Sequence, residues 1–250
     1  MAVPSIRIKT GNPRIDAQCL YRYYPDYWEG IIDHLWPKLE HLTGSRRKDL
    51  RYLKGFMEGQ YALFKGELEA FAQELQTRWD KIHEPFMSEL EHILDIKWSR
   101  GRISGYVSLA PGNPRNIQSR EFVLDYRQNI EAAIQACAHE IIHFLFFRKW
   151  KQIFPDHDPA QYDRPALAWH LSELFVVLML NEPSISQLVL TQRAEYEGPY
   201  RFYERAMIGD KSVAEHFGGL YRQHRGDMKA LLEQAYADAL EYARVFEGFR

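Results

Sequence analysis

Two histidines and one glutamate in an apolar stretch, Ala136 to Leu145, have types and a spacing suited to metal chemistry. His139 and His143 stand four positions apart, and at about 100° per residue such a pair is offset by only about 40° around a helix. Both imidazoles therefore leave one helix face, a turn apart, and can reach one small cation. Glu140 directly follows the first histidine, so its carboxylate lies beside that cation, within reach of a water molecule bound to it.

The residues around these three side chains carry no charge at positions 136–138, 141–142 and 144–147. This composition predicts a helix that is buried on nearly all sides, and buried imidazoles and carboxylates must have their polar atoms satisfied. A metal ion does so for the whole group, whereas the alternative is a helix with ordinary hydrogen-bonded histidines and a buried acid. Cys137 projects from a different face than His139, and we expect a small buried thiol there rather than a ligand.

The segment His139-Glu140-Ile141-Ile142-His143 has the His-Glu-x-x-His arrangement and in this respect resembles the zincin superfamily of zinc peptidases. A catalytic zinc takes three protein ligands and keeps a fourth position for water. In the metzincin branch a glycine ends the helix three residues after the second histidine, but here Phe146 holds that position. In the gluzincin branch the third ligand is a glutamate on a separate downstream helix.

The gluzincin resemblance implies that Glu173 is the third ligand. It lies in an apolar helix expected over about residues 165–181, where a buried acid needs a partner. His170, one turn earlier on nearly the same face, could ligate instead, hydrogen-bond near the metal, or be a partly exposed histidine at the helix start. We expect solvated loop positions, and not ligands, at Asp156, His157 and Asp158.

The chemistry that the resemblance implies is metal-assisted hydrolysis. Zn²⁺ held by His139, His143 and Glu173 would lower the pKa of bound water from 15.7 to about 7. Glu140 would accept the proton as the water attacks a carbonyl and deliver it to the leaving amine. Zincins often stabilise the oxyanion with a Tyr or His of the downstream half. The candidates are Tyr196, Tyr200, Tyr203, His216 and His224, with Tyr200 and Tyr203 preferred, although each tyrosine could equally be a core or surface ring.

The region before the motif is the candidate for substrate binding. In zincins the strand before the active-site helix usually pairs with an extended peptide, and Gly105–Leu109 or Phe122–Asp125 could do so by strand addition. The alternative is that the loop between the two strands covers the sheet edge and prevents such pairing. A substrate carboxylate could be held by Arg115, Arg120 and Arg127, although solvated arginines are the default.

The elements that must position these residues are mostly helices. Apolar residues recur at steps of three and four from residue 46 to about 97, with possible breaks at Gly55, Gly59, Gly66 and Pro85. Residues 1–25 are expected to be an irregular lead-in, and Asp26 could cap a helix through about residue 42. Near Gly101 the apolar residues begin to recur at every second position, which predicts a small antiparallel sheet. The helix that carries the motif could begin at Asn129 and end at about Lys151.

The fold class expected from this pattern is mainly α with a small antiparallel β-sheet, an α+β arrangement similar to that of zincins. We expect residues 1–250 to form one unit: an N-terminal helical layer over 1–100, the sheet and motif helix over 101–151, and a C-terminal helical half over 152–250. Pro183–Ala194, Pro199–Met207, Ser212–His224 and Asp227–Phe249 are all consistent with helices in that half.

Composition limits the classes of partner. The net charge of the 250 residues is −2, which gives no electrostatic case for nucleic acid. Two cysteines are too few for a disulfide scaffold, and no apolar run reaches the length of about 18 residues that a membrane helix needs. No signal peptide is recognisable at the N-terminus, so a soluble cytoplasmic protein is expected.

Three functions compete. The first is a zinc metallopeptidase acting on a peptide or protein substrate. The second is a non-catalytic relative that serves as a helical interaction module, which the acid at Glu140 argues against. The third is a zinc hydrolase of an amide that is not a peptide.

Overall fold

The structure of the protein is a computed structural model that describes residues 3–27, 42–110, 112–189 and 199–248. It is mainly helical with a small sheet, as the sequence predicts. The chain divides into two compact units. The sheet unit consists of Ser5–Asp80 and Arg102–Ala136, and the helical unit consists of Met1–Pro4, Lys81–Gly101 and Cys137–Arg250.

The sheet unit holds four strands: β1 (Ser5–Thr10), β2 (Arg102–Ser108), β3 (Arg115–Asn116) and β4 (Glu121–Asp125). Their order is β1-β2-β4-β3. β1, β2 and β4 run parallel, and only β3 is antiparallel to its neighbour β4. The expectation of an antiparallel sheet is thus wrong for β2 and β4. A two-residue period does not encode strand direction, and residues 109–120 supply the connection of about a dozen residues that a parallel pair needs.

Residues 3–25 are not an irregular lead-in, because most of them belong to β1 and helix α1 (Pro13–Tyr27). In β1 the side chains of Ile6 and Ile8 are buried while Arg7 and Lys9 face solvent, which is the alternation of a half-buried strand. Asn12 caps α1, since its Oδ1 accepts from the backbone N–H groups of Arg14 and Ile15 at 3.0 and 3.1 Å. The helix predicted from Asp26 to about residue 42 lies mostly outside the described residues.

Helix α2 (Arg46–Ile93) continues without a break through three glycines and Pro85. The possible breaks do not occur in it, and apolar side chains of one face are buried on either side of the glycines, at Leu53, Met57, Leu68, Leu75 and Trp79. Tertiary packing of such a stripe outweighs the weak helix propensity of glycine. The first part of α2 belongs to the sheet unit and its last turns belong to the helical unit.

Helix α3 (Ile130–Ile153) carries the His-Glu-x-x-His motif. Asn129 caps it as predicted, with Oδ1 accepting from the Ala132 N–H at 2.8 Å. Within the described ranges it is the one helix long and apolar enough to cross a membrane, and 78% of its apolar window is buried inside the protein. A core helix of a globular protein has the same character.

The rest of the helical unit is a set of shorter helices. The helix predicted over 165–181 is α4 (Leu167–Leu180), which follows a 3₁₀ turn at Pro159–Tyr162. A two-residue hairpin, β5 (Met207–Ile208) and β6 (Lys211–Ser212), turns at Gly209, whose φ of 63° suits glycine. The other helices are α5 (Pro183–Val189), α6 (Pro199–Arg205), α7 (Val213–Gln223), α8 (Met228–Glu241) and α9 (Ala243–Phe246).

Candidate metal centre

Helix α3 places the two histidines of the motif on one face, and their rings meet. The Nε2 atoms of His139 and His143 are 3.0 Å apart. The ring centroids are separated by 4.7 Å, with the planes at 71°. His143 is fully buried and His139 is 7% exposed. The spacing of four residues therefore brings both Nε2 atoms to one buried point.

Helix α4 brings a carboxylate to the same point. Glu173 Oε2 lies 3.2 Å from His139 Nε2, and Glu173 Oε1 lies 3.5 Å from His143 Nε2. Glu173 is itself only 7% exposed. The three side chains belong to the helical unit and form a buried group whose ligand atoms all lie within 4.8 Å of one another. This group could hold a metal ion.

The separations are close to those that a small tetrahedral cation imposes. With bonds of about 2.0–2.2 Å, such an ion holds its ligand atoms about 3.3–3.6 Å apart. The separations between the facing nitrogen and oxygen atoms are 3.0, 3.2 and 3.5 Å, so two of them are slightly shorter than this range and one lies within it. The donor set of two imidazoles and one carboxylate also suits a transition metal better than Ca²⁺ or Mg²⁺, which prefer oxygen ligands.

Hydrogen bonding alone does not account for this arrangement. Each Nε2 offers one site, either a proton or a lone pair. Each Nε2 nevertheless has two close partners here, the other histidine and one carboxylate oxygen. If both rings donate to the carboxylate, two N–H groups oppose each other at 3.0 Å. No placement of protons turns all three contacts into hydrogen bonds, whereas a cation accepts a lone pair from each group.

Glu140 lies beside the group and not in it. Its Oε1 is 3.9 Å from His139 Nε2, and the residue is 4% exposed. The carboxylate is thus buried next to the predicted ligands, at the position predicted from the motif for a proton acceptor. Cys137, also on α3, is fully buried, and burial together with the Glu140 charge raises the pKa of its thiol.

His170 is not a partly exposed histidine, because it is fully buried on α4. Its Nδ1 lies 2.8 Å from the hydroxyl of Tyr203 on α6. Burial lowers the pKa of His170 to about 4, against the opposing effect of the Glu173 carboxylate, so the ring is neutral near pH 7. Within the described residues, the group that could hold an ion consists of His139, His143 and Glu173 and does not include His170. The pairing of His170 with Tyr203 was missed by sequence reasoning, since no local pattern links α4 to α6.

The candidates for oxyanion stabilisation differ in their burial and in their contacts. Tyr203 is fully buried, and the ring of half-buried Tyr200 lies 6.4 Å from its ring. His216 Nε2 contacts Asp238 Oδ2 at 2.7 Å, and His224 ends α7. Tyr196 lies outside the described residues. The assignment of an oxyanion donor stays a prediction for all of them.

The turn after α3 has structural contacts of its own. His157 Nδ1 accepts from the indole N–H of Trp150 at 3.1 Å, and its ring stacks on Phe154. Asp158 caps the 3₁₀ turn by accepting from the Ala160 N–H at 2.8 Å. Asp156 is exposed to solvent. These positions match the loop predicted from the sequence.

The strands proposed for substrate pairing have no free edge over their central residues. β2 lies between β1 and β4, so its backbone is already paired over residues 105–108, and the Leu109 N–H donates to the Asp16 carboxylate. On the outer side of β4, Phe122 pairs with Arg115, and the Val123 N–H donates to the Pro114 carbonyl at 2.8 Å. Strand addition at these edges was therefore a wrong expectation.

The arginines near the strands are placed differently from one another. Arg127 Nε donates to Asp125 Oδ1 at 2.8 Å. Arg115 is part of β3, and Arg120 has a positive φ of 54° just before β4. A role of these arginines toward a substrate carboxylate stays a prediction.

Comparisons with known proteins give no family for the chain. No protein-family model, no curated protein and no solved structure matches it.

Proposed function

We propose that the protein is a zinc-dependent hydrolase, and specifically a metallopeptidase with a gluzincin-like ligand set. The observation that carries the proposal is the convergence of His139, His143 and Glu173 at one buried point, with separations of 3.0–3.5 Å. A proton acceptor, Glu140, lies directly beside them. Three protein ligands leave a fourth position of a tetrahedral ion open, which distinguishes a catalytic zinc site from a structural one.

The two imidazoles and the carboxylate would hold the ion, and zinc, when bound, supplies a Lewis acid and water of lowered pKa. The carboxylate of Glu140 accepts the proton of the attacking water and returns it to the leaving amine. Because Glu140 is only 4% exposed, bulk water competes little for this proton. Peptide bonds as the substrate follow from the resemblance of the motif to zincins.

The test is the substitution Glu140→Gln, which keeps the size of the side chain and removes the proton acceptor. We expect the variant to retain zinc, measured by plasma mass spectrometry, while cleavage of a mixed peptide library falls by about 10²–10⁴-fold. Glu233→Gln is the matched control, because Glu233 is a solvent-exposed acid on α8. It should leave zinc content and cleavage unchanged.

The same experiment separates the competing functions. A wild-type protein that binds zinc but cleaves no peptide, and loses hydrolysis of a small-molecule amide on Glu140→Gln, would be a hydrolase of another bond. A protein with no hydrolytic activity, or one whose activity Glu140→Gln leaves unchanged, would contradict the proposal.

A further inference from the structure

We infer that His170 and Tyr203 form a buried clamp that positions Glu173 for metal binding. This inference rests on the proposed function, since it assigns a role toward the same metal. The clamp is defined as the pair of side chains joined by the contact between His170 Nδ1 and the Tyr203 hydroxyl. Both act through Glu173 and are therefore positioning residues.

The first support is the place of His170 on α4. It precedes Glu173 by three residues, and residues three apart are neighbours on a helix surface. A displacement of this turn would therefore move the Glu173 carboxylate relative to the histidines of α3.

The second support is the contact itself, which joins α4 to α6. The two atoms are 2.8 Å apart, and both residues are fully buried. A polar pair so completely removed from water is costly to break, because each partner left alone would lose a hydrogen bond. The contact consequently restricts rotation and sliding of the α4 turn that carries Glu173.

The third support is the packing around the pair. The His170 ring lies 4.9 Å from the Trp169 ring and 5.1 Å from the Phe246 ring, measured between centroids. The Tyr203 ring contacts Phe202 and Tyr200 at centroid distances of 5.6 and 6.4 Å. Aromatic rings thus pack against both partners, which restricts the movement of their side chains. A fully buried hydroxyl engaged with His170 is suited to holding a helix in place.

The test measures zinc affinity and not catalysis. Tyr203→Phe removes only the hydroxyl, and we expect its zinc dissociation constant, obtained by chelator competition, to rise about 10-fold or more. Loss of a group that orients a metal ligand typically weakens binding by about 10–100-fold. Tyr221→Phe is the matched control, because Tyr221 is also buried, packs against Phe175 of α4 and hydrogen-bonds to Glu182. We expect it to change zinc affinity by less than about twofold.

Three further variants distinguish loss of the clamp from a simple folding defect. His170→Ala should weaken zinc binding as Tyr203→Phe does, and the double variant should be no worse than either, because both remove one interaction. His170→Asn, which keeps a polar atom near the position of Nδ1, should recover part of the affinity. Thermal unfolding of the zinc-free proteins identifies any variant that has lost its fold.

The outcomes distinguish the clamp from the function on which it rests. If the wild type binds zinc, but Tyr203→Phe and His170→Ala bind it as tightly as Tyr221→Phe does, the clamp is overturned and the hydrolase proposal stands. Additive losses in the double variant would also overturn the clamp. If the wild type binds no zinc, both proposals fail.

Discussion

At the scale of single residues, two of the buried polar sites in the described part of the chain are satisfied in different ways. At the metal centre, two imidazoles and a carboxylate share contacts that protons cannot all satisfy. In the sheet unit, fully buried Asp16 is satisfied by ordinary donors. It accepts from the Ser108 hydroxyl at 2.6 Å, the Leu109 and Ala110 N–H groups at 2.9 and 3.2 Å, and the Tyr61 hydroxyl at 3.0 Å.

Asp16 should make the stability of the protein depend on pH. Burial raises the pKa of Asp16 to about 6 in spite of these four hydrogen bonds, whereas an unfolded Asp titrates near 3.9. Between about pH 4 and pH 6 the folded state therefore holds more protons at this residue than the unfolded state. Its contribution to the free energy of unfolding then falls as the pH rises through this window, by up to about 3 kcal/mol.

The measurement is urea unfolding of the wild type and of Asp16→Asn at several values between pH 4 and pH 7. Asparagine does not titrate, so the free-energy difference between the two proteins should shrink as the pH rises. Other carboxylates contribute equally to both proteins and cancel in this difference. A difference that is independent of pH would show that Asp16 has an ordinary pKa.

At the scale of elements, glycines have opposite roles in α2 and β2. In α2, an added Cβ at Gly59 would have no heavy atom within 4 Å. In β2, an added Cβ at Gly105 would lie 2.7 Å from Cζ of Phe122, its partner across the strands. Gly59 therefore only weakens its helix, whereas close packing against Phe122 requires glycine at position 105.

Gly59→Ala should accordingly stabilise the protein by about 0.5–1 kcal/mol, because alanine has the higher helix propensity and the unfolded chain loses freedom. Gly105→Ala should destabilise it, since the buried Phe122 ring would have to move. Thermal and urea unfolding of the two variants, side by side, tests this contrast. Equal effects of the two substitutions would contradict the packing described for β2.

The elements also show how far the sequence could be used for prediction. The bounds of α3 and α4 followed from local patterns: an Asn cap, an unbroken apolar run, and a polar turn between them. The spacing of His139 and His143 is equally local. Strand direction in the sheet and the continuity of α2 were not predictable in this way, because partners distant in sequence decide both.

At the scale of the whole molecule, the metal centre depends on one contact that is distant in sequence. α3 alone supplies two histidines, and only the packing of α4 against the same point adds Glu173. The sequence could suggest this residue because an acid in an apolar helix needs a partner. It could not suggest the contact between His170 and Tyr203, which depends on how α6 packs on α4.

Zinc content of the purified protein tests the account most directly. We expect about one zinc ion per chain for the wild type and for the exposed-acid control Glu233→Ala, and a loss of most of it for Glu173→Ala, measured by plasma mass spectrometry after dialysis. Glu173→Ala removes one of three ligands, while Glu233 is solvent-exposed on another helix. A wild type without metal, or a Glu173→Ala variant that keeps its full zinc content, would contradict the account.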